Sequence, residues 1–521
     1  MRERNESVSF RMNNLTLSRL PAALLILAGG VGVFPVLRSL LVADLNWCYP
    51  YMTADSYDWI SNGLFWSGKP VFPSLRPPGL PLVIAGLTKL GLLSFLPVVS
   101  FLFLGLSTAL LYVLLRERHG PWIAAAACWF FFANDTVQDV AKYVLSETYA
   151  TPFLVLAILA FVRAGSDLRW YPVMGASLGV AFLFSYAAFP AGLGLALAVL
   201  FVRAADVRKP ELWKGALAAA VPACGWFAVR VLFDHAHPDA PRHDFEALLR
   251  PTLSNVGSYA IAGPAVLGLL LLPLYALGGL RLLVAGPGSR RYRAAAFGMA
   301  GTLFVFLLFF YDWADRRFLV YLLPPLACAL AEGLEGLKAY AARGRLATAF
   351  AAAFFVACLL WNQIRYPSYG FGYVALTPKH FLEASRTATP TMKTELHLTG
   401  ARVVRLHETL LSSFSRGLFD LRLRPAACEL AVPAYTCLGT LKGSVDGVLP
   451  AGRPIGFLPP ADWPPDRLVD FIRLRNVLQR PVVDPASSDV ALAGVEAAPG
   501  ADFSKPPFLA RCGPYVLVRT R

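Results

Sequence analysis

The residues best suited to chemistry fall in three segments. The first, Thr53-Ala-Asp-Ser-Tyr-Asp-Trp-Ile-Ser-Asn-Gly-Leu-Phe-Trp66, carries the carboxylates of Asp55 and Asp58 and is followed by Arg76. The second gathers Asp139, Lys142 and Glu147, and the third Arg316, Arg317 and Tyr321. An ionised carboxylate can take a proton from a hydroxyl, and guanidinium groups grip and neutralise phosphate. The first segment reads as a short helix started by Thr53, with Trp59, Ile60, Gly63, Leu64 and Trp66 on a common apolar side. Trp and Tyr favour the membrane interface, and a helix N-terminus keeps the carboxylate of Asp55 ionised. A charged base at headgroup depth suits a lipid-linked substrate. Taken alone, the segment reads more simply as a helix end solvated by Asp55 and Asp58.

Other clusters carry less. The loop from Asp234 to Asp244 holds three His and three Asp but no zincin spacing, and reads as a solvated loop. Gly29-Gly-Val-Gly32 and Gly192-Leu-Gly194 lie within apolar runs and are not followed by the lysine of a phosphate loop, so close helix packing is the better reading. No nucleotide cofactor is expected.

The elements that must position these residues are membrane helices. The chain has 521 residues, of which 56% are hydrophobic and 16% charged, with a mean hydropathy of +0.53. Those values exclude an ordinary soluble enzyme and a disordered chain. A net charge of +15 would suggest nucleic acid if it were clustered on a soluble domain. Here the basic residues punctuate apolar runs instead, so no nucleic-acid partner is expected. Eleven runs approach the roughly 20 residues of a spanning helix: 20–43, 95–115, 121–134, 147–164, 170–185, 187–203, 212–233, 259–283, 294–311, 318–335 and 346–364. The first is too long for a signal-peptide core and reads as an uncleaved anchor.

Lys and Arg place the N-terminus inside. The segments then cytoplasmic hold 19 basic residues and the opposite loops up to the last span hold 8. This gives a cytoplasmic segment 1–19, a transmembrane domain 20–364 with a long first outer loop 44–94, and an extracytoplasmic domain 365–521 of small α+β character. The tail has turn-forming stretches and short β-type runs such as Tyr515-Val-Leu-Val518. Cys128, Cys224, Cys328 and Cys358 lie inside apolar runs and read as packing. Cys48, Cys428, Cys437 and Cys512 fall on the outer side, with Cys428–Cys437 the favoured pair. Arg38 and Arg230 are expected to snorkel to the outer interface.

Asp55-Ser-Tyr-Asp-Trp59 and Arg76-Pro-Pro-Gly-Leu-Pro-Leu82 follow one another on the outer side, as do Tyr143-Val-Leu-Ser-Glu-Thr148 and Arg316-Arg-Phe-Leu-Val-Tyr-Leu-Leu-Pro-Pro325. In that order the four resemble motifs of the GT-C superfamily, the polytopic glycosyltransferases that include protein O-mannosyltransferases and lipid A aminoarabinose transferases. The resemblance covers roughly residues 20–345 and leaves the C-terminal domain unmatched.

It implies a GT-C-type polytopic helical bundle, membrane all-α, with interfacial helices in the first outer loop. It also implies transfer of a sugar from a polyprenyl-phosphate donor to an acceptor hydroxyl on a glycan, lipid or protein at the outer face of a bacterial inner membrane. Asp55 would be the base, with direct displacement and inversion; Asp58 stands in reserve. Arg76 is the first candidate for the donor phosphate, with Lys142, Arg316, Arg317 and Tyr321 further candidates. Glu147 would help hold a divalent cation, magnesium or manganese, or the donor head group, and Asp139 would share that role. Pairing of Arg316 and Arg317 with Asp312 and Asp315 is the competing structural reading. The rival function is a transporter or flippase of lipid-linked glycans, which should show mid-membrane polar residues and internal repeats. Neither is seen in the sequence.

Overall fold

The computed structural model describes residues 20–27, 54–69, 75–236, 267–284, 290–309 and 316–363, with short pieces of the tail between 444 and 520. Residues 28–43 of the first run, Arg38, the loop from 237 to 266, Asp312, Asp315, Cys48, Cys428 and Cys437 lie outside the described residues.

A short helix α1 (20–27) precedes two helices of the first loop, α2 (Ala54–Trp66) and α3 (Gly79–Lys89). The bundle continues with α4 (Leu96–Phe132), α5 (Asp135–Lys142), α6 (Ser146–Arg163), α7 (Trp170–Phe184), α8 (Ala188–Arg203) and α9 (Pro210–Ala236). It closes with α10 (Leu272–Val284), α11 (Arg290–Phe309), α12 (Leu323–Ala341) and α13 (Arg345–Gln363). At 37 residues, α4 would be ~55 Å long as one straight rod, far beyond a bilayer core of ~30 Å. Gly120 leaves the helical region at φ 76°, ψ 171°, with Pro121 next, and divides α4 into the two helices that the sequence pattern separates. Four stretches among the described residues are long and apolar enough to cross a membrane: Leu93–Phe132, Ser146–Arg163, Pro210–Phe233 and Arg317–Ala341. The protein is therefore a multi-pass membrane protein.

The core forms where α6 packs between α4 and α7, with α8 against α11 and α10 against α12. Tyr149, Phe161, Ile158 and Leu154 of α6 are buried, and Phe103, Tyr149, Phe153 and Phe184 stack into one aromatic cluster. Small residues bring helix axes together where lipid-facing apolar surface gives no drive to associate. A Cβ on Gly194 would lie 2.3 Å from Thr302 Oγ1 and 2.5 Å from the Gly298 carbonyl oxygen, so this glycine serves helix contact, as read from sequence. Closer still, α7 meets α9 at Gly175 and Gly215, and α10 meets α12 at Gly278 and Gly333.

Two readings change. Arg230 does not snorkel: it is buried and donates through Nη1 to the Tyr186 hydroxyl at 3.3 Å, which also accepts from Trp226 Nε1 at 2.8 Å. The hydroxyl gives the guanidinium a hydrogen-bond acceptor inside the bundle. Cys224 is exposed on its helix, whereas Cys128, Cys328 and Cys358 are buried free thiols.

A polar knot unforeseen from sequence sits where α4 breaks. Buried Glu332 of α12 accepts from Arg118 Nε at 2.7 Å, with Arg281 Nε at 3.7 Å and His119 Nε2 at 4.0 Å. It ties α4, α10 and α12 together at the end of the bundle remote from α2.

In the tail, β1 (Ile455–Leu458), β2 (Val482–Val483), β3 (Val490–Gly494), β4 (Phe508–Cys512) and β5 (Tyr515–Arg519) form one sheet in the order β2-β1-β3-β5-β4. β1 pairs parallel with β2 and β3, whereas β5 pairs antiparallel with β3 and β4. The β-type run at 515–518 is β5.

Candidate active site

α2, the turn before α3, the α5–α6 turn and a 3-10 helix (Arg316–Leu322) converge on Asp55. Asp55 sits in the first turn of α2, where the free amides of a helix start favour a carboxylate. Its partners come from elsewhere in the chain. Arg76 Nη2 donates to Asp55 Oδ1 at 2.7 Å, and Arg317 Nη1 donates to Asp55 Oδ2. Burial pushes the Asp55 carboxyl up, but Arg317 and Arg76 outweigh it and hold the group well below the usual carboxylate range. Asp55 nevertheless keeps 14% of its side chain exposed, so it can still meet a reacting hydroxyl.

Arg76 is held from four directions. Its Nε donates to Asp58 Oδ2 at 2.6 Å, its Nη2 to Asp55, and its main-chain N–H to Asn62 Oδ1 at 2.8 Å, while its guanidinium lies 5.1 Å from the centre of the Trp59 ring. Burial opposes its charge, but Asp58 and then Asp55 more than restore it. Asp55, Asp58, Trp59 and Asn62 recur at helical spacing on α2, which is how one short helix presents all of them to one arginine. Leu75 precedes Arg76 at φ 46°, an unfavourable conformation for a residue with a Cβ. Gly79 starts α3 where an added Cβ would lie 2.7 Å from Phe184 Cγ and 2.8 Å from the Leu183 carbonyl oxygen. The glycine of the Arg-Pro-Pro-Gly run thereby lets α3 seat against the end of α7 and aims Arg76 back at α2.

The second wall is the start of α6. Ser56 of α2 donates to the Tyr143 carbonyl at 2.6 Å, Val144 turns the chain at φ 55°, and Glu147 then falls in the first turn of α6. Two side-chain-bearing residues at positive φ flank the site, each costing ~1–3 kcal/mol that surrounding packing must offset. Arg317 Nε lies 3.8 Å from Glu147 Oε1, so this one guanidinium stands between Asp55 and Glu147. The 3-10 helix packs on α5, α6, α11 and α12, and Arg317 lies 4.9 Å from the Phe318 ring. The tenth run, read as 318–335, opens in this 3-10 helix and becomes α-helical from Leu323.

Of the residues expected in the site, Asp55, Asp58, Arg76, Glu147 and Arg317 come together. Tyr321 is nearby in the 3-10 helix and fully buried. Asp139 and Lys142 belong to α5, beside the 3-10 helix, but their side chains, like that of Arg316, lie outside the described residues. The sequence reading gave no role to Ser56 or Asn62. Their signal was the helical spacing of Asn62 from Asp58 and the place of Ser56 within the Asp-Ser motif. Among the described residues no three of His, Cys, Asp and Glu gather to hold a metal.

Residues 75–227 match the family described as dolichyl-phosphate-mannose-protein mannosyltransferase. No curated protein sequence matches the chain. Among solved structures, ArnT from Cupriavidus metallidurans bound to undecaprenyl phosphate is 16% identical with a TM-score of 0.59, covering 97% of this chain and 98% of that one. The same protein in the apo state gives 15% identity and 0.56, covering 94% and 97%. The structural likeness establishes the fold over nearly the whole chain, and the family match lies across the Arg76 and Glu147 walls of the site. Together they give the chain the fold of the ArnT structures and, over residues 75–227, a likeness to the mannosyltransferase family.

Proposed function

We propose that the chain moves a sugar from a polyprenyl-phosphate donor to an acceptor hydroxyl, with inversion, at the outer face of a bacterial inner membrane. The observation carrying this reading is a first-turn carboxylate, Asp55, bracketed by two arginines that can answer a departing phosphate. The undecaprenyl phosphate of the ArnT structure supports a donor of that chemical class.

In the step proposed, the acceptor oxygen attacks the anomeric carbon as the bond from that carbon to the phosphate oxygen breaks. The acceptor proton passes to Asp55, and the pair of electrons leaves with the polyprenyl phosphate. Before donor arrival both oxygens of Asp55 are engaged by arginine, which makes it a weak base. A donor phosphate offers the same guanidinium groups stronger acceptors. Drawing Arg317 or Arg76 toward the phosphate frees an Asp55 oxygen and raises its basicity where the hydroxyl arrives, so donor binding readies the base. Glu147 keeps Arg317 in reach as it moves, and Asp58 does the same for Arg76. Lys142, Arg316 and Tyr321 are further candidates for the donor phosphate, and Asp139 for the second acidic wall. A divalent cation at Glu147 would need donors from outside the described residues.

In this reading the N-terminus is cytoplasmic and the domain 365–521 faces outward, with the acceptor a glycan, lipid or protein. The purified chain in lipid nanodiscs, given radiolabelled polyprenyl-phosphate sugars and nucleotide sugars in parallel, tests the proposal. Turnover with the lipid-linked donor alone is expected; turnover with the nucleotide donor alone would overturn it. Reporter fusions after Arg118, Arg208 and Arg345 should read as cytoplasmic and one after Pro367 as exported.

A further inference from the structure

The turn that delivers Glu147 is built on a residue poorly suited to it. α5 ends in a Schellman motif, in which the Leu145 N–H donates to the Val140 carbonyl at 3.1 Å and the Val144 N–H to the Ala141 carbonyl at 3.3 Å. The residue just past the cap of such a motif is left-handed and most often glycine. Here it is Val144, buried at φ 55°. A side chain branched at Cβ makes that conformation costlier than for other residues.

Two hydroxyls from other helices hold the turn. Ser56 of α2 donates to the Tyr143 carbonyl at 2.6 Å, and Ser100 of α4 to the Ala141 carbonyl at 2.8 Å. Both serines are buried, where a carbonyl deprived of its donor is costly. Their effects differ. For Val144 to relax to negative φ, the peptide joining it to Tyr143 must rotate, and that peptide carries the carbonyl held by Ser56. Ser100 secures only the turn of α5 before it. Next comes Leu145, which has no polar side chain to cap α6, so the first turn of α6 takes its place from the turn at Val144. Glu147 lies in that first turn, 3.8 Å from Arg317.

We propose that Ser56 is a positioning residue for transfer: through the Tyr143 carbonyl it keeps Val144 left-handed and so keeps the Glu147 carboxylate beside Arg317. The inference rests on the reading of Asp55 and Arg317 given above. The helix that carries the base thereby also sets the distance to the opposite wall, from the very next residue.

The test compares the full chain in lipid nanodiscs with Ser56→Ala, Glu147→Gln, Ser56→Ala/Val144→Gly and Ser56→Ala/Glu147→Gln. Hydrogen exchange over residues 140–150 needs no donor; kcat and donor KM are measured with the lipid-linked sugar. Ser56→Ala should speed exchange at Val144 and Leu145 about tenfold, the equivalent of one buried hydrogen bond. It should lower kcat roughly 10–100-fold by misplacement, with donor KM little changed because both arginines remain. Glycine takes a left-handed conformation without a Cβ in the way. Ser56→Ala/Val144→Gly should therefore recover slow exchange and most of kcat, although loss of a buried side chain lowers its melting temperature. With Glu147→Gln already in place, Ser56→Ala should cost no further rate. A kcat that simply follows melting temperature across the set overturns the proposal, as does full additivity of Ser56→Ala with Glu147→Gln. Unchanged exchange or undiminished kcat in Ser56→Ala, in an active wild type, overturns this proposal alone. A wild type inactive with the lipid-linked sugar overturns the reading of the reaction and the role in transfer with it, while the exchange data still report the hold of Ser56 on the turn.

Discussion

Arg317 donates to Asp55 across 262 residues of sequence, and it takes the carboxylate oxygen that Arg76 leaves free. The candidate base is thus capped on both oxygens by groups from opposite ends of the helical bundle. While both hold it the group is a weak base, and an anion that drew either of them away would raise its basicity.

Asp55→Asn should abolish transfer, with a rate loss of roughly 10²–10⁴-fold. The amide keeps the shape and can still accept from one arginine, while Arg76 retains Asp58 and Arg317 retains Glu147. The variant should fold and bind the lipid-linked donor, as read by single-turnover transfer and donor retention. Undiminished turnover would shift the role of base to Asp58.

Arg76→Ala should do two separable things. It strips Asp58 of its guanidinium partner, at a cost of about 3 kcal/mol or more if the pair behaves as buried ones do, and it weakens donor binding more than acceptor binding. Arg76→Ala/Asp58→Asn should recover much of the melting temperature without recovering donor affinity. Arg76→Lys, which keeps charge but loses the fork, should fall between. Donor KM and melting curves for the three variants decide; donor affinity that recovers along with stability would make Arg76 purely structural.

The acid dependence has a definite sign. The folded Asp55 carboxyl is held below its unfolded value of ~3.9, so its contribution to stability is fully present above that value and is lost only as pH falls through the lower folded value. The melting difference between wild type and Asp55→Asn should be flat from about pH 5 to 8 and shrink only below about pH 4. A difference that fades near pH 6 would mean that the arginines are not on the carboxylate.

Glu332→Gln should lower thermal stability while leaving donor and acceptor KM unchanged, because its partners Arg118 and Arg281 lie at the end of the bundle away from Asp55. Steady-state kinetics beside a melting curve would check it, and a selective rise in donor KM would tie that knot to the site.

Elements set by local pattern were legible in the sequence. α6 begins at Ser146 where the run was read from 147, and the apolar side of α2, with Trp59, Ile60 and Leu64, is indeed buried. Hydropathy and helical period determine such features within a window of a few turns. The pairings were not legible. Arg317 reads from sequence as a phosphate candidate or a partner of Asp312 and Asp315, and its contact with Asp55 depends on a 3-10 helix docking against α5 and α6. The residue type of Arg76 points to a phosphate too, while its hold on Asp58 and Asn62 needs the turn at Leu75. Arg230 illustrates the reverse case, since its side chain meets the hydroxyl of Tyr186, in the turn between α7 and α8, within the bundle.

The backbone-to-backbone crossings bear on how this sequence can vary. A Cβ on Gly175 would stand 1.8 Å from the Gly215 carbonyl oxygen, and one on Gly278 would stand 1.7 Å from that of Ala329. Neither neighbour can yield by rotating a side chain, so whole helices would have to part. In a saturation library selected for transfer, these positions should be depleted of every other residue as severely as Asp55, although they touch no substrate. Gly86 and Gly105, with open space where a Cβ would go, should accept alanine freely. Purifying selection on such a chain would trace helix contacts as well as chemistry, and intolerance to substitution alone would be a poor guide to where its reaction occurs.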